Sequence, residues 1–494
     1  MPKLQTNGAK QKRTTYMILL LWAAVCFALL VVDWCCWGPN RLDADMASEQ
    51  LLANLLAQEG GVMSTNWYYS TELRVLNTQL VMAPLFRLFT SWHTVRVVGS
   101  VVLILLYLAA WFWFGRSAKL KYSGLLGAGL LVLPYGALYR QYVLEGLYYI
   151  PHIAISFVVL GCAVRILRGG RRLAPAAGMV LFSFAAALGG PRQLFILNIP
   201  LTVAAALLCW LDAPPADTLR QKLANAWRTP GGALLVPTLA ADAAALAGYL
   251  VNAKVLAEKY HFQDQGYVAF TGLNLDRLQW FVNALLASFG WQEGKVFSLA
   301  ALFNLAAAAL ILFCFVFSVR LVRGKARYPL GHRLVGAFFL AGAVCFALLY
   351  GLTNSGHSDR YLLPLAILFV PLLEIMLADC TPLHRPDARG LTALLAAILL
   401  LRAGTDYRAA AVATNPNQGA AQFLVQNGYR DGYASFWDGN VMTELTDGTL
   451  NVWTLTPNSV PELRPWLQVT SHLQTPPQGK IFFVISKWEA YGER

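Results

Sequence analysis

Three carboxylates, Asp43, Asp45 and Glu49, fall within "RLDADMASEQLL", directly after an apolar run over residues 18–37. Asp45 and Glu49 are four apart, so a helix here places both on one face, and Leu52 and Leu56 extend the same stripe. An acid pair heading an apolar stripe suits a site where a reacting polar group meets a lipid. Capping and the helix dipole also favour acids in a first helical turn, so spacing leaves both readings open. Like charges four apart repel slightly, which rules out helix stability as the reason for the pair.

Further polar candidates are thinly spread. Glu145 sits beside Tyr148, Tyr149 and His152, and Arg192 lies in "GGPRQ". "NSGHSDRY" holds His357, Asp359, Arg360 and Tyr361 just before another apolar run. A guanidinium at headgroup depth suits a phosphate, and a snorkelling interface arginine is the plainer alternative. His357 has no Cys or second His nearby, which makes it a poor zinc ligand. Asp242 stands alone among Ala and Gly, where helix packing or cavity lining accounts for it better than a transport path.

The elements that must position these residues are membrane helices. The chain of 494 residues is 57% hydrophobic and 13% charged, with mean hydropathy +0.49. A soluble protein carries roughly twice that charge fraction. Apolar runs predict about eleven spans, near 17–37, 95–115, 121–139, 148–167, 173–190, 194–212, 231–251, 296–319, 333–353, 361–378 and 389–404. The first run is too long for a cleaved signal peptide, and no small-residue cleavage site follows it. The net charge of +13 comes from basic loops such as "KQKR", "RSAKLK" and "RLVRGKAR". Those loops read as cytoplasmic under the positive-inside rule, so the charge does not point to nucleic acid. An odd span count then predicts the N-terminus inside and residues 405–494 outside, with every candidate residue above on the outer side except Asp242, which lies within the seventh span. Eight cysteines lie in or beside apolar runs and show neither disulfide nor metal spacing.

Residues 1–404 therefore form the membrane domain. Its large outer segments, 38–94 and 252–295, mix apolar helical spacing with polar residues, Trp and Tyr, and should lie in the interface plane. Residues 408–494 read as a small extracytoplasmic α/β domain. "QGAAQFLVQNGY" predicts a helix ended by Asn427-Gly428. The Asp-Gly turns of "GYASFWDGNVMTELTDGTLNVWTL" predict strands and hairpins, and "GKIFFVISKW" a buried strand. Trp437, Trp453 and Trp488 read as core.

With these residues placed, the chain resembles a divergent bacterial member of the C-type (GT-C) superfamily of polytopic membrane glycosyltransferases. That superfamily includes protein O-mannosyltransferases and lipid A aminoarabinose transferases. "DMASEQLLANLLAQEGG" keeps Asp45, Ala53 and Gly60 at the spacing of the family's first outer loop. It lacks a second acid next to Asp45 and has Glu49 where the family's aromatic usually falls. "HSDRYLLP" resembles the family's H-x-x-R-Y-x-x-P element, with His357, Arg360, Tyr361 and Pro364 in register. The resemblance implies a cell-envelope enzyme, integral to the cytoplasmic membrane, that moves a sugar with inversion on the outer face. The donor would be polyprenyl-phosphate-linked and the acceptor a glycan, lipid or protein.

Under that resemblance Asp45 is the general base, and Arg360 holds the donor phosphate with His357, Tyr361 and Arg192. Glu145 is a second acid that orients the acceptor, or shares a divalent cation (Mg or Mn) with Asp45 if one is used. Asp43, Glu49, Asp359 and His152 support the site, and the outer segments roof it against water. The competing readings are a transporter or flippase of a lipid-linked glycan and a non-catalytic envelope protein. A transporter calls for polar residues through the membrane depth and a repeat between halves, and neither is visible. The enzyme reading requires Asp45, Glu145 and Arg360 to converge on one cavity, within roughly 15 Å of each other.

Overall fold

The computed structural model describes residues 2–71, 73–169, 172–262, 269–354, 358–379, 386–456 and 461–486. His357 and Trp488 lie outside the described residues. Among the described residues, eight helices are long and apolar enough to cross a membrane: Arg13–Arg41, Trp92–Ala118, Ile150–Leu167, Leu194–Asp212, Pro230–Lys259, Leu299–Arg323, Leu330–Leu352 and Asp359–Ala378. They make the chain a polytopic helical membrane protein. Local signals start several of them. Ser91 and Ser298 accept backbone N–H bonds as N-caps, and Thr229 does so ahead of Pro230, whose missing N–H costs nothing at a helix start.

Three of the eleven expected spans take another form. Residues 121–139 are apolar but make only a short helix, Leu125–Leu131, followed by a break. Gly124 begins it in the left-handed region at φ 79°. A Cβ on Gly127 would lie 2.3 Å from Trp111, and one on Gly129 would lie 2.1 Å from Trp22. The backbone freed here is satisfied by protein: Trp111 Nε1 donates to the Gly124 carbonyl at 2.8 Å, and Gly127 N–H donates to Glu374 Oε1 at 2.8 Å. Irregular backbone at membrane depth survives only when buried this way. The run is apolar because it is buried in protein, not because it faces lipid.

The run at 173–190 becomes a helix of 15 residues, Leu173–Ala187. That is about 22 Å long at the standard rise, short of a hydrocarbon core of about 30 Å. The run at 389–404 sits inside the longer Pro386–Val412 helix, which also carries Arg402, Asp406 and Arg408.

The stretch 38–94 folds as a short turn, the Ala44–Glu59 helix, a two-residue strand Trp67–Tyr68 and the Gln79–Leu85 helix, ahead of the Trp92–Ala118 helix. The stretch 252–295 contains the Leu275–Ser288 helix, whose cap Asn274 accepts from the Asp276 and Arg277 N–H groups.

Beyond residue 412 the chain forms a parallel three-stranded sheet with Asp431–Ser435 central, Asn451–Leu455 on one side and Ile481–Val484 on the other. Asp438-Gly439-Asn440 makes no hairpin, because it lies inside the Phe436–Leu445 helix. Parallel strands need a crossover, and this helix supplies it, with Gly439 close against Val452. The Ile481–Val484 strand is an edge, not a buried strand, with Ile481 and Phe483 exposed. This unit keeps its own small core, including Leu424, Met442, Val452 and Phe482. It is also sewn to the stretch 38–94. Trp67–Tyr68 pairs antiparallel with Gln468–Val469, and Asn440 Nδ2 donates to Ser48 Oγ at 2.8 Å.

Candidate active site

The Ala44–Glu59 helix decides what each carboxylate can do. Asp43 is its N-cap and accepts from Met46 N–H at 2.8 Å and from Gln141 Nε2 at 3.2 Å. Glu49 Oε2 accepts from Asn77 Nδ2 at 2.8 Å and Thr78 Oγ1 at 2.7 Å, and Oε1 lies 3.5 Å from Arg74 Nη1. Burial pushes both carboxyls above their ordinary range, partly offset by the Met46 N–H bond for Asp43 and by Arg74 for Glu49. Asp45, half-buried between them in the first helical turn, has no hydrogen-bond or ion-pair partner among the described residues. Two of the three acids are engaged in holding structure, and Asp45 alone is free.

A second wall comes from residues 140–149. Arg140–Glu145 is a π-helical turn. Leu147, fully buried at φ 61°, reverses the chain so that the Tyr142 and Tyr148 rings stand 6.3 Å apart. A left-handed, bulky, buried residue is strained backbone of the kind concentrated at functional sites. Tyr148 is buried and its hydroxyl has no hydrogen-bond partner among the described residues. Burial, reinforced by Asp43, Asp45 and Glu49, holds its phenol neutral far above pH 10, so it remains a hydrogen-bond donor.

The third wall carries the arginines. The Arg360 guanidinium lies 5.1 Å from the Tyr142 ring centroid. Arg192 lies 5.2 Å from the Tyr361 centroid and 5.5 Å from that of Tyr149. Arg360 Nε is buried without a hydrogen-bond partner among the described residues. The Tyr142 hydroxyl feels the charges of Asp45 and Asp43 as well as that of Arg360. It is raised by burial, against the pull of Arg360. His152 Nδ1 and Gln193 Oε1 are 3.0 Å apart, fixing the loop that bears Arg192. Asp359 is exposed at the rim, and its carbonyl accepts from Ser288 Oγ.

Glu145 belongs elsewhere. Its Oε1 lies 2.6 Å from Arg41 Nε and 3.3 Å from Arg140 Nε. Arg41 also pairs with Asp33, and Arg140 with Asp406 of the Pro386–Val412 helix at 3.4 Å. This buried chain of ions laces the first membrane helix to the Pro386–Val412 helix. Burial pushes Glu145 up to about 7, with Arg41 and Arg140 opposing. Arg360 thus stands over Tyr142, whose hydroxyl also feels Asp45, while Glu145 serves an ionic network with Arg41 and Arg140. Asp242 is also accounted for by packing, since Thr202 Oγ1 donates to its Oδ2 at 2.7 Å. Among the described residues, no group of three or more His, Cys, Asp or Glu is placed to hold a metal. With Asp43 capping a helix and Glu145 held by two arginines, the acids present do not form a cation cage.

Sequence reading missed Arg74, Gln141, Tyr142 and the Arg96–Glu444 pair. Nothing in their local spacing marks them, because their roles come from partners distant in the chain.

No family model matches the chain, and no curated protein matches it. Among solved structures, it aligns with the oligosaccharyltransferase of Archaeoglobus fulgidus in complex with Zn and sulfate. That alignment has 14% identity and TM-score 0.46, covering 88% of this chain and 62% of that one. The same enzyme tethered to an acceptor peptide containing the NVT sequon aligns at 12% identity and TM-score 0.44, covering 86% and 63%. The chain thus spans less than two thirds of the length of these structures.

Proposed function

We propose that this protein is an inverting membrane glycosyltransferase of the GT-C kind. It would take a sugar from a polyprenyl-phosphate donor and pass it to an acceptor on the outer face of the cytoplasmic membrane. One observation carries the reading: the Arg360 guanidinium, its buried Nε without a hydrogen-bond partner among the described residues, stands over the Tyr142 ring, and Asp45, unpartnered among the same residues, acts on that tyrosine's hydroxyl. A base and an anion clamp at one site are what a single displacement at a sugar phosphate requires. Asp45 takes the proton of the acceptor hydroxyl as its oxygen attacks the anomeric carbon. The bond from that carbon to the phosphate oxygen breaks, and the lipid phosphate leaves with the electron pair and one more negative charge. Arg360, with Arg192 beside Tyr361, offsets that charge. The sugar inverts because attack and departure occur on opposite faces. No step is routed through a metal.

The test is transfer of labelled sugar from a panel of polyprenyl-phosphate sugars in proteoliposomes. Asp45→Asn should lower transfer by about 10²- to 10⁴-fold, the worth of a positioned general base, with donor binding retained. Arg360→Ala should raise the donor KM and lower kcat. Donor movement between leaflets without bond cleavage, unaffected by Asp45→Asn, would overturn the reading in favour of a transporter.

A further inference from the structure

Between the Leu194–Asp212 and Pro230–Lys259 helices the chain forms a separate short helix, Leu219–Trp227. Its N-cap Thr218 accepts from Gln221 N–H at 3.2 Å. Leu219, Leu223 and Trp227 recur every four residues, so they share one face, and they are 66%, 46% and 53% exposed. At 100° per residue Arg220 borders this stripe on one side and Lys222 on the other. Ala226, on the same face, is buried, and its carbonyl accepts from Cys209 Sγ at 3.0 Å. The apolar face is thus the one turned to the membrane helices.

The helix lies at the end of the molecule away from Asp45. Arg96 of the Trp92–Ala118 helix donates to the Met46 carbonyl, beside the acids. Ala118 lies about 33 Å further along that helix, with its carbonyl 2.9 Å from His332 Nε2. The adjacent Arg333 donates to Asp212 Oδ2 at 2.8 Å, and Asp212 ends the span ahead of the short helix. Lys222 Nζ lies 3.9 Å from the Trp210 ring centroid. Trp210 stands partly exposed in the last turn of its span, where tryptophans mark headgroup level. The charge here is positive. Asp217 is the one acid between residues 213 and 229, against Arg220, Lys222 and Arg228. Asp212 is spent on buried Arg333, and its carbonyl accepts from Lys325 Nζ at 3.1 Å. Lys325 thereby brings up a second basic loop, with Arg323 and Arg327 exposed.

We propose that the Leu219–Trp227 helix lies in the plane of the membrane surface and, with the loop after Arg323, forms a docking surface for anionic phospholipid. The stripe enters the acyl boundary, and the cations along its edges meet the phosphates. A neutral lipid would leave those cations without a counter-charge, and a soluble anion would leave the stripe in water. A second copy docked symmetrically would set like charges against each other. Charge and level together therefore select the anionic lipid. This surface is independent of the transferase reading.

The test uses the full chain in a neutral detergent, titrated with phosphatidylglycerol or phosphatidylcholine, with bound lipid read by native mass spectrometry. Phosphatidylglycerol should bind at least about 5-fold more tightly, the worth of one cation near an anionic surface. Arg220→Gln with Lys222→Gln and Arg228→Gln should remove most of that preference. Arg220→Lys with Arg228→Lys keeps the charge and should retain it. Leu219→Ser with Leu223→Ser should weaken phosphatidylglycerol as well, because the stripe anchors the chains. No preference, a preference unchanged in the glutamine variant, or one lost equally in the lysine variant would overturn the proposal. So would a dimer that grows with concentration and vanishes in the serine variant, since the face would then belong to a second copy.

Discussion

Glu444 is 5% exposed and grips Arg96 in a two-point pair, with Arg96 Nε and Nη2 at 2.5 and 2.6 Å from its two carboxylate oxygens. Arg96 Nη2 also donates to the Met46 carbonyl at 2.9 Å, one residue from Asp45. The pair therefore joins three things: the Trp92–Ala118 helix, the C-terminal unit and the first turn of the acid-bearing helix. Glu444→Gln keeps the shape but leaves a guanidinium in a site that is 13% exposed for Arg96. Breaking one partner of a buried pair costs about 3–5 kcal/mol, because the surviving charge stays desolvated. Replacing both, as in Arg96→Met with Glu444→Leu, removes the stranded charge and costs little. Unfolding by denaturant in detergent micelles, followed by Trp fluorescence, would measure the four corners of this cycle. The single variants should each lose several kcal/mol and the double variant should recover most of the loss. A double variant as unstable as the singles would refute the argument, since the pair would then contribute through packing alone. So would a loss below about 1 kcal/mol in Glu444→Gln, the range of an exposed pair.

Two further outcomes follow from the fold. Glu145 is raised from 4.5 to about 7 by burial, so the folded protein binds its proton more tightly than the unfolded chain. Its contribution to stability is full below about pH 4.5 and is lost as pH rises through about 7. Thermal midpoints in nanodiscs from pH 4.5 to 7.5 should fall for wild type and fall less for Glu145→Gln; equal slopes would discount the burial. Gly127→Val would drive a side chain into Trp111 and Val370, where a Cβ alone already meets atoms at 2.3 and 2.8 Å. Overpacking on that scale costs about 1–3 kcal/mol or more, and an unchanged denaturation midpoint would show that the buried break is looser than its geometry.

Much of the helical architecture was legible locally. Eight apolar runs became eight long helices because run length reports directly on a hydrocarbon slab about 30 Å thick. Asn427-Gly428 closed the Gln418–Gln426 helix as its left-handed glycine at φ 73° requires. The stretch 121–139 misled, because hydropathy cannot separate burial in protein from burial in lipid. The Asp438-Gly439-Asn440 turn signal misled as well, since Gly439 serves close packing of a helix on a strand.

For the site, the sequence by itself determined which residue types were available: an acid trio after the first span and single arginines near later helix ends. It could not say which acid was free. Asp43 and Glu49 are occupied by Gln141, Asn77, Thr78 and Arg74, and Asp45 is left over. The placing of Arg360 over the Tyr142 ring, and the diversion of Glu145 into the Arg41–Arg140 network, were decided only in three dimensions. The physical reason is range. Caps and periodicity act over a few residues, whereas Arg96 meets Glu444 across 348 positions and Ser48 meets Asn440 across 392. Only packing of the whole chain brings such partners together.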